Sequence, residues 1–234
     1  MGYSTSMPEG GREGRAGELA EAAAFFVAVL AYLWLLVIPL PWTGVLLLAG
    51  AALSWRRRRL TAQELGLSWR PLLSCWRSWA PLWILSAALM LALGYGRLFH
   101  LRTLTDGGAY FAWSALQQVV YQSMTYLPLR ESVGSRRRAA ALAGLAFAAV
   151  HAPNPILVPA TLVWGAVSSL LFERCRSVWG LALLQTMLSS VLLWIAPPHL
   201  SRSFRIGPYY FREGAGGQGG GHWMPPVWSE PSAL

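Results

Sequence analysis

Residues 110–129 read YFAWSALQQVVYQSMTYLPL, a stretch that contains no Asp, Glu, Lys or Arg. At about 1.5 Å per residue, a helix of this length crosses the roughly 30 Å core of a bilayer. Its polar side chains recur at helical spacing on one face, namely Ser114, Gln117, Gln118, Tyr121, Gln122 and Thr125. Because an unsatisfied amide in hydrocarbon costs several kcal/mol, this face is predicted to look into a helix bundle. The opposite face is compatible with lipid and carries Phe111, Ala115, Val119 and Met124.

The whole chain has the same character, since 55% of its 234 residues are hydrophobic and only 12% are charged. Soluble domains carry about 25% charged residues. The charges here cluster between long apolar runs, which is typical of a multi-pass membrane protein. The sequence predicts an all-α fold, a polytopic membrane helix bundle of about seven spans: 20–39, 41–55, 79–99, 110–129, 139–153, 156–172 and 178–196.

The apolar run from Ala20 to Trp55 is too long for one span, so we divide it at Pro39–Pro41. All basic residues are arginines, and most of them flank spans on the side that faces the cytoplasm when the N-terminus is cytoplasmic. We therefore expect a bacterial inner (plasma) membrane protein with a cytoplasmic N-terminus and lipid as a partner. No basic stripe with interleaved aromatics occurs, so a nucleic-acid partner is not expected.

Five regions follow along the chain. A cytoplasmic tail (1–18) precedes an N-terminal helical hairpin (19–55). A connecting segment and the third span (56–108) include a polar loop at Asp106, Gly107 and Gly108. The core (109–196) is followed by a Gly/Pro-rich C-terminal tail (197–234), in which 214–221 is predicted to be disordered.

Two further spans carry polar residues that match the glutamine face. Phe147 and His151 lie four residues apart in the fifth span, and Gln185 and Ser189 have the same spacing in the seventh. An ionisable residue within a membrane span is by default a candidate functional site. The alternative is structural, because polar side chains in membrane bundles also hold helices together and His151 can simply cap its helix.

Taken in order, the motifs Gln117-Gln118-x-x-x-Gln122, Phe147-x-x-x-His151 and Gln185-x-x-x-Ser189 resemble those of the CPBP family. This is the CAAX-protease and bacteriocin-processing (Abi) family of intramembrane endopeptidases. The resemblance covers roughly residues 110–195 and implies a CAAX-protease-like core. The segment Glu64-Leu65-Gly66-Leu67 is also similar to that family's approach to its core.

The family's motifs are Glu-Glu-x-x-x-Arg, Phe-x-x-x-His and His-x-x-x-Asn or Asp, so the resemblance assigns six positions of this chain to the catalytic site: Gln117, Gln118, Gln122, His151, Gln185 and Ser189. Ser114, Tyr121, Thr125 and Phe147 would line the cavity. A general base must accept a proton, and a carboxamide does not. The resemblance therefore implies a peptide hydrolase scaffold, while the glutamines indicate a pseudoenzyme that retains a polar cavity.

Four functions stay open at this point. The first is a CPBP homologue that recognises, processes or sorts proteins through a membrane-embedded peptide or anchor segment. The second is a protease that uses His151 as the base. A metallopeptidase is disfavoured, because zinc needs about three protein ligands and the spans hold one His and no carboxylate. We therefore expect no metal and no cofactor. The fourth function is a polytopic scaffold or a transporter-like binding protein.

Overall fold

The computed structural model describes residues 9–98 and 101–212, and their regular elements are helical. The α-helices are α1 (Glu9–Ala31), α2 (Gly44–Arg57), α3 (Trp69–Ser74), α4 (Trp76–Leu98), α5 (Leu101–Tyr121), α6 (Leu127–Val133), α7 (Arg136–Ala149), α8 (Leu157–Cys175), α9 (Val178–Ile195) and α10 (Pro198–Ser201). Two π-helical segments, Tyr32–Leu36 and Gln122–Tyr126, continue α1 and join α5 to α6. Short 3₁₀ turns occupy Pro41–Thr43, Arg202–Phe204 and Gly207–Phe211. The predicted all-α membrane fold is confirmed.

The first apolar run divides where its prolines predict. A 3₁₀ turn at Pro41–Thr43 separates α1 and its π-helical extension from α2, and the Tyr32 hydroxyl donates to the Pro41 carbonyl at 3.0 Å. The structure extends α1 back to Glu9, into the stretch predicted as a tail, although four of residues 9–18 are glycines, which disfavour helix. Residues 1–8 of that tail lie outside the described part of the chain.

The predicted polar loop at 106–108 is wrong. These residues lie inside α5, which begins at Leu101. Two glycines in a helix cost about 1 kcal/mol each relative to alanine. A Cβ added to Gly107 or Gly108 would meet nothing within 4 Å, so close packing is not the cause. The helix pairs the backbone N–H and C=O groups of this segment internally, which a loop in hydrocarbon does not do.

Three described segments are long and apolar enough to cross a membrane: Ala16–Leu36, Trp76–Leu93 and Val178–Ile195. Helices α2 and α7 have 14 residues each, about 21 Å, which is shorter than a bilayer core. The seven-span arrangement therefore stays a prediction.

Close helix packing sets the position of the site. A Cβ added to Gly144 on α7 would lie 2.6 Å from the Leu162 carbonyl oxygen on α8, and one added to Gly165 on α8 would lie 2.9 Å from the Gly144 Cα. Only glycine permits this approach, as in other membrane helix pairs. On the other side of the bundle, Trp79 of α4 is fully buried against Gly180 of α9.

The face of α5 that was expected to be compatible with lipid is covered by protein. Ala115, Val119 and Met124 are all buried. The hairpin of α1 and α2 packs over the end of this face, where the Trp55 indole donates to the Ser123 Oγ at 2.8 Å. The pattern of one helix could not show that a second helix occupies its apolar side.

The end of the described chain packs on the turn between α7 and α8. The fully buried Asn154 accepts the backbone N–H groups of Ile156 and Leu157, which caps α8, and donates to the carbonyls of Ser201 and Arg205. The Gly207 N–H donates to the Ala152 carbonyl at 2.8 Å. Residues 198–211 thus close this end of the bundle, whereas 214–221 lie outside the described residues.

Candidate functional site

Four glutamine side chains form one directed chain of hydrogen bonds between α5 and α9. The Gln122 Nε2 donates to the Gln118 Oε1 at 3.0 Å, and the Gln118 Nε2 donates to the Gln185 Oε1 at 2.6 Å. The Gln185 Nε2 then donates to the Gln117 Oε1, also at 2.6 Å. The predicted inward orientation of the glutamines is therefore what the structure shows, and we call these four residues the amide cluster.

Helix α8 completes the surroundings of the amide cluster. The Trp164 indole donates to the Gln185 Oε1 at 3.0 Å, and the Ser168 Oγ lies 3.4 Å from the Gln122 Nε2. Gln118, Gln122 and Ser168 are fully buried. Trp164 and Ser168 were not among the predicted site residues, although their spacing of four residues on an apolar helix places them on one face.

Two buried acceptors at the amide cluster stay unused within the described residues. The Gln122 Oε1 and the Ser114 Oγ make no hydrogen bond there. An unpaired buried amide oxygen or hydroxyl costs about 1–3 kcal/mol. Each can therefore gain from a further donor, such as a peptide N–H.

His151 makes no hydrogen bond to the amide cluster among the described residues, and its contacts are with Phe147. Its Nδ1 lies 2.7 Å from the Phe147 carbonyl oxygen, which can only accept, so Nδ1 carries the proton and Nε2 keeps its lone pair. The Phe147 ring touches the His151 ring on one side and the Tyr121 ring on the other, with centroids 4.8 and 4.6 Å apart. The Tyr121 hydroxyl donates to the Gly165 carbonyl at 3.0 Å and lies 3.1 Å from the Ser169 Oγ.

The remaining predicted residues are more scattered. Ser189 lies one turn beyond Gln185 and accepts the Tyr110 hydroxyl at 3.0 Å. Thr125 is half-buried, whereas its neighbour Tyr126 is fully buried. The π-helical turn at Gln122–Tyr126 explains this, because its extra residue rotates everything that follows relative to a regular α-helix. Thr125 lies within that turn, and its place along the cavity stays a prediction.

The same turn directs Tyr126 towards an ionic cluster that the sequence did not reveal. The Tyr126 hydroxyl donates to a Glu173 carboxylate oxygen, and the Arg130 Nε lies 2.9 Å from the other carboxylate oxygen. Partial burial raises the pKa of Glu173, but the hydrogen bonds from Tyr126 and Arg130 outweigh it and hold this pKa below its ordinary value. This cluster ties α6 to the end of α8.

The segment before α3 docks at the start of α9. Gly66 adopts a positive φ of 75°, and a Cβ there would lie 2.6 Å from the Phe172 ring. The Gly66 carbonyl accepts the Val178 N–H at 2.9 Å, and the Leu67 carbonyl accepts the Trp179 indole N–H. Glu64-Leu65-Gly66-Leu67 therefore fixes the first turn of the helix that carries Gln185.

The family model of the type II CAAX prenyl endopeptidase Rce1-like proteins matches residues 70–191. That is about half of the chain and runs from α3 to α9. The chain belongs to this Rce1-like family. The resemblance drawn from the three motifs is thereby confirmed. No curated protein and no solved structure matches the chain.

The Rce1-like match covers all six positions that the family resemblance assigns to the catalytic site. In this chain five of them carry neutral side chains that do not titrate, and the sixth is His151. Within residues 9–98 and 101–212, no group of three His, Cys, Asp or Glu residues is arranged to hold a metal ion. The arrangement can donate and accept hydrogen bonds, and its one proton acceptor is the His151 Nε2.

Proposed function

We propose that this Rce1-like protein recognises a membrane-embedded anchor segment of another protein through its amide cluster, without glutamate-based hydrolysis. The observation that carries the proposal is the hydrogen-bonded chain from Gln122 through Gln118 and Gln185 to Gln117. These residues stand at the positions where the resemblance expects the charged catalytic residues.

Carboxamides are suited to this task because they have the same donor and acceptor groups as a peptide bond. A peptide that leaves its helical conformation inside a membrane must find partners for its N–H and C=O groups. The free acceptors of Ser114 and Gln122 can take two such N–H groups. Replacement of a carboxylate by an amide keeps this binding capacity and removes the proton acceptor that activates water.

We further propose the bacterial inner membrane as its location, with a cytoplasmic N-terminus. The arginine-rich ends of α2, α6, α7 and α8 lie at one end of the bundle. The ion pair of Arg130 with Glu173 joins α6 to α8, and the hydrogen bond from Val178 to Gly66 joins the start of α9 to the segment after α2. An excess of arginine marks the cytoplasmic side.

Site-specific crosslinking tests recognition. The purified full chain in proteoliposomes is offered single-span peptides that carry a photoreactive diazirine at mid-membrane depth. We expect crosslinks to the α5 segment around Ser114 and Gln122, and their loss in Gln118→Leu. Ser190→Ala is the matched control, since its hydroxyl bonds only the Thr186 carbonyl on its own helix. Absence of crosslinks with every peptide, or equal crosslinking of Gln118→Leu, contradicts the proposal.

A second candidate is a protease in which the His151 Nε2 acts as the base. The hydrogen bond from Nδ1 to the Phe147 carbonyl favours it, because that bond fixes the tautomer with a free Nε2 lone pair. Cleavage of a membrane peptide by the native chain and its loss in His151→Ala would support this candidate. Cleavage that survives His151→Ala would exclude it.

Complementation of a strain that lacks the protein separates both candidates from a purely structural role. The two informative variants are His151→Ala and the double substitution of Gln117 and Gln118 by glutamate. Recognition predicts that the glutamate variant loses function, since it breaks the amide chain, while the protease candidate predicts loss in His151→Ala. If both variants function like the native protein, the amide cluster only holds the helices together.

A further inference from the structure

A cavity of about 480 Å³ opens at the arginine-rich end of the bundle, away from the amide cluster. Its walls come from the segment after α2, from α6 and from the junction of α8 and α9. Leu60 and Leu127 supply apolar wall, and two residues of each charge face the same space: Arg58, Arg176, Glu64 and Glu131. This volume is in the range of small-ligand sites, about 300–1,000 Å³.

The two arginines provide positive charge with unused donors. Only 11% of the Arg58 side chain is exposed, and its guanidinium donates to the Ser123 carbonyl at 3.1 Å and lies 3.7 Å from a Glu18 carboxylate oxygen. Arg176 sits over the Phe172 ring at 5.2 Å and makes no ion pair within 4.0 Å in the described chain. Since a guanidinium has five N–H donors, both can take further acceptors.

Arg176 is also held at its position by the backbone. It has a φ of 41° and a ψ of 46°, the left-handed conformation that ends α8, and its N–H donates to the Phe172 carbonyl at 2.7 Å. A bulky residue seldom adopts this conformation. The side chain therefore leaves the helix end in a fixed direction, towards the cavity.

Glu64 stands on the same cavity wall as Thr61, whereas Glu131 comes from α6. Glu64 and Thr61 form a reciprocal capping arrangement, in which the Glu64 Oε2 accepts both the Thr61 N–H and its hydroxyl at 2.8 Å. These hydrogen bonds, with the nearby charges of Arg176 and Arg58, hold the pKa of Glu64 below its ordinary value. The carboxylate is thus ionised near neutral pH, and its Oε1 makes no hydrogen bond within the described residues.

The cavity lies at the level where lipid headgroups are expected. Trp69 and Trp76 border the same end of the bundle and are both 57% exposed, as in the aromatic belts of membrane proteins. Trp69 stacks on Trp179 at 4.6 Å, which ties this belt to the start of α9. The acyl chain of a lipid whose headgroup lies in this cavity can extend out of it along the apolar helices.

We propose that this cavity binds the headgroup of a zwitterionic aminophospholipid, with the phosphate between Arg58 and Arg176 and the primary ammonium against Glu64 and Glu131. An anionic headgroup without an amine would satisfy the arginines but would face two carboxylates. A quaternary ammonium would satisfy the charge but cannot donate N–H bonds to the carboxylates. This site is separate from the amide cluster and does not depend on the proposed anchor recognition.

The test measures binding of soluble dihexanoyl phospholipids to the full chain in detergent by microscale thermophoresis. Phosphatidylethanolamine is compared with phosphatidylcholine, phosphatidylglycerol and inorganic phosphate. We expect phosphatidylethanolamine to bind about tenfold or more tightly than the other three, because it alone makes both sets of charge-assisted hydrogen bonds.

Two variants assign the two halves of the headgroup. Arg176→Gln is expected to weaken phosphatidylethanolamine binding about tenfold or more, through loss of a phosphate contact. Glu64→Gln keeps an acceptor for Thr61 and is expected to abolish the preference over phosphatidylcholine. Arg70→Gln, at an exposed arginine of α3 that does not line the cavity, is the matched control and is expected to bind like the native chain.

Three results would overturn the proposal. They are equal binding of all three lipids, equal binding of inorganic phosphate, and native-like binding by Arg176→Gln. All three are independent of peptide crosslinking at the amide cluster, so failure of this proposal and failure of the proposed function can be told apart.

Discussion

The hydrogen bond between Gln118 and Gln185 is the most direct target for a quantitative prediction. It joins α5 to α9 at 2.6 Å, and Gln118 also accepts the Gln122 amide at 3.0 Å. Gln118→Leu keeps the approximate volume and removes both bonds. It leaves the Gln122 Nε2 with only the 3.4 Å contact to Ser168.

The magnitude follows from these contacts. Hydrogen bonds between membrane helices contribute on average about 0.6 kcal/mol and up to about 1.7 kcal/mol. Two lost bonds therefore predict a destabilisation of about 1–3 kcal/mol for Gln118→Leu. In a double-mutant cycle with Gln185→Leu, each single variant loses the Gln118–Gln185 bond, whereas the double variant loses that bond only once. We therefore expect a coupling energy of about 1 kcal/mol between the two substitutions.

The assay is reversible unfolding in mixed micelles with increasing denaturing detergent, followed by tryptophan fluorescence. The cycle of Gln118→Leu with Ser190→Ala serves as the control, because the Ser190 hydroxyl bonds only its own helix. We expect that control cycle to show no coupling. A Gln118–Gln185 coupling no larger than the control would refute the amide cluster as an interacting unit.

Three further predictions test the packing and the cytoplasmic end. Gly165→Ala is expected to lower the free energy of unfolding by about 1–3 kcal/mol in the same assay, because its Cβ would lie about 3 Å from three neighbouring atoms. The control Gly50→Ala, whose Cβ would meet nothing within 4 Å, should not lower it. Because the pKa of Glu173 is lowered in the fold, its carboxylate stabilises the protein above the ordinary carboxyl pKa of 4.5, and this stability is lost as the pH falls through the folded-state pKa. Glu173→Gln should therefore make the melting temperature depend less on pH across that range. A pH profile identical to that of the native chain contradicts the ionic cluster. Because the Cys75 Sγ lies 3.9 Å from the carbonyl oxygen of Arg174, the residue before Cys175, copper phenanthroline should crosslink the two cysteines and protect Cys75 from maleimide labelling, and full labelling of Cys75 after oxidation would contradict this placement.

The sequence predicted those features that depend on local pattern. The proline division of the first apolar run and the inward glutamine face followed from spacing and composition. The loop at 106–108 did not form because a helix pairs the backbone groups of this segment, and that gain outweighs the cost of two glycines. The local composition, Asp106 followed by two glycines, indicated a turn and does not report this gain.

The site was predictable to the same extent. Gln118 and Gln185 were expected in one polar cavity, and they are directly bonded. The hydrogen bond of His151 goes to its own helix, and the role of His151 in this site stays a prediction. Tyr126 and Glu173 were missed because a π-helical turn changes the register after Gln122, and no periodicity rule signals such a turn in advance.

The central claim is that the amide cluster binds an anchor segment without hydrolysing it. The most direct measurement is the intact-mass spectrum of a crosslinkable anchor peptide after incubation with the native chain in proteoliposomes. We expect all of the peptide to keep its original mass and a fraction of it to be captured on the protein after illumination. Two fragments whose masses add up to that of the peptide plus one water, absent with His151→Ala, would contradict it.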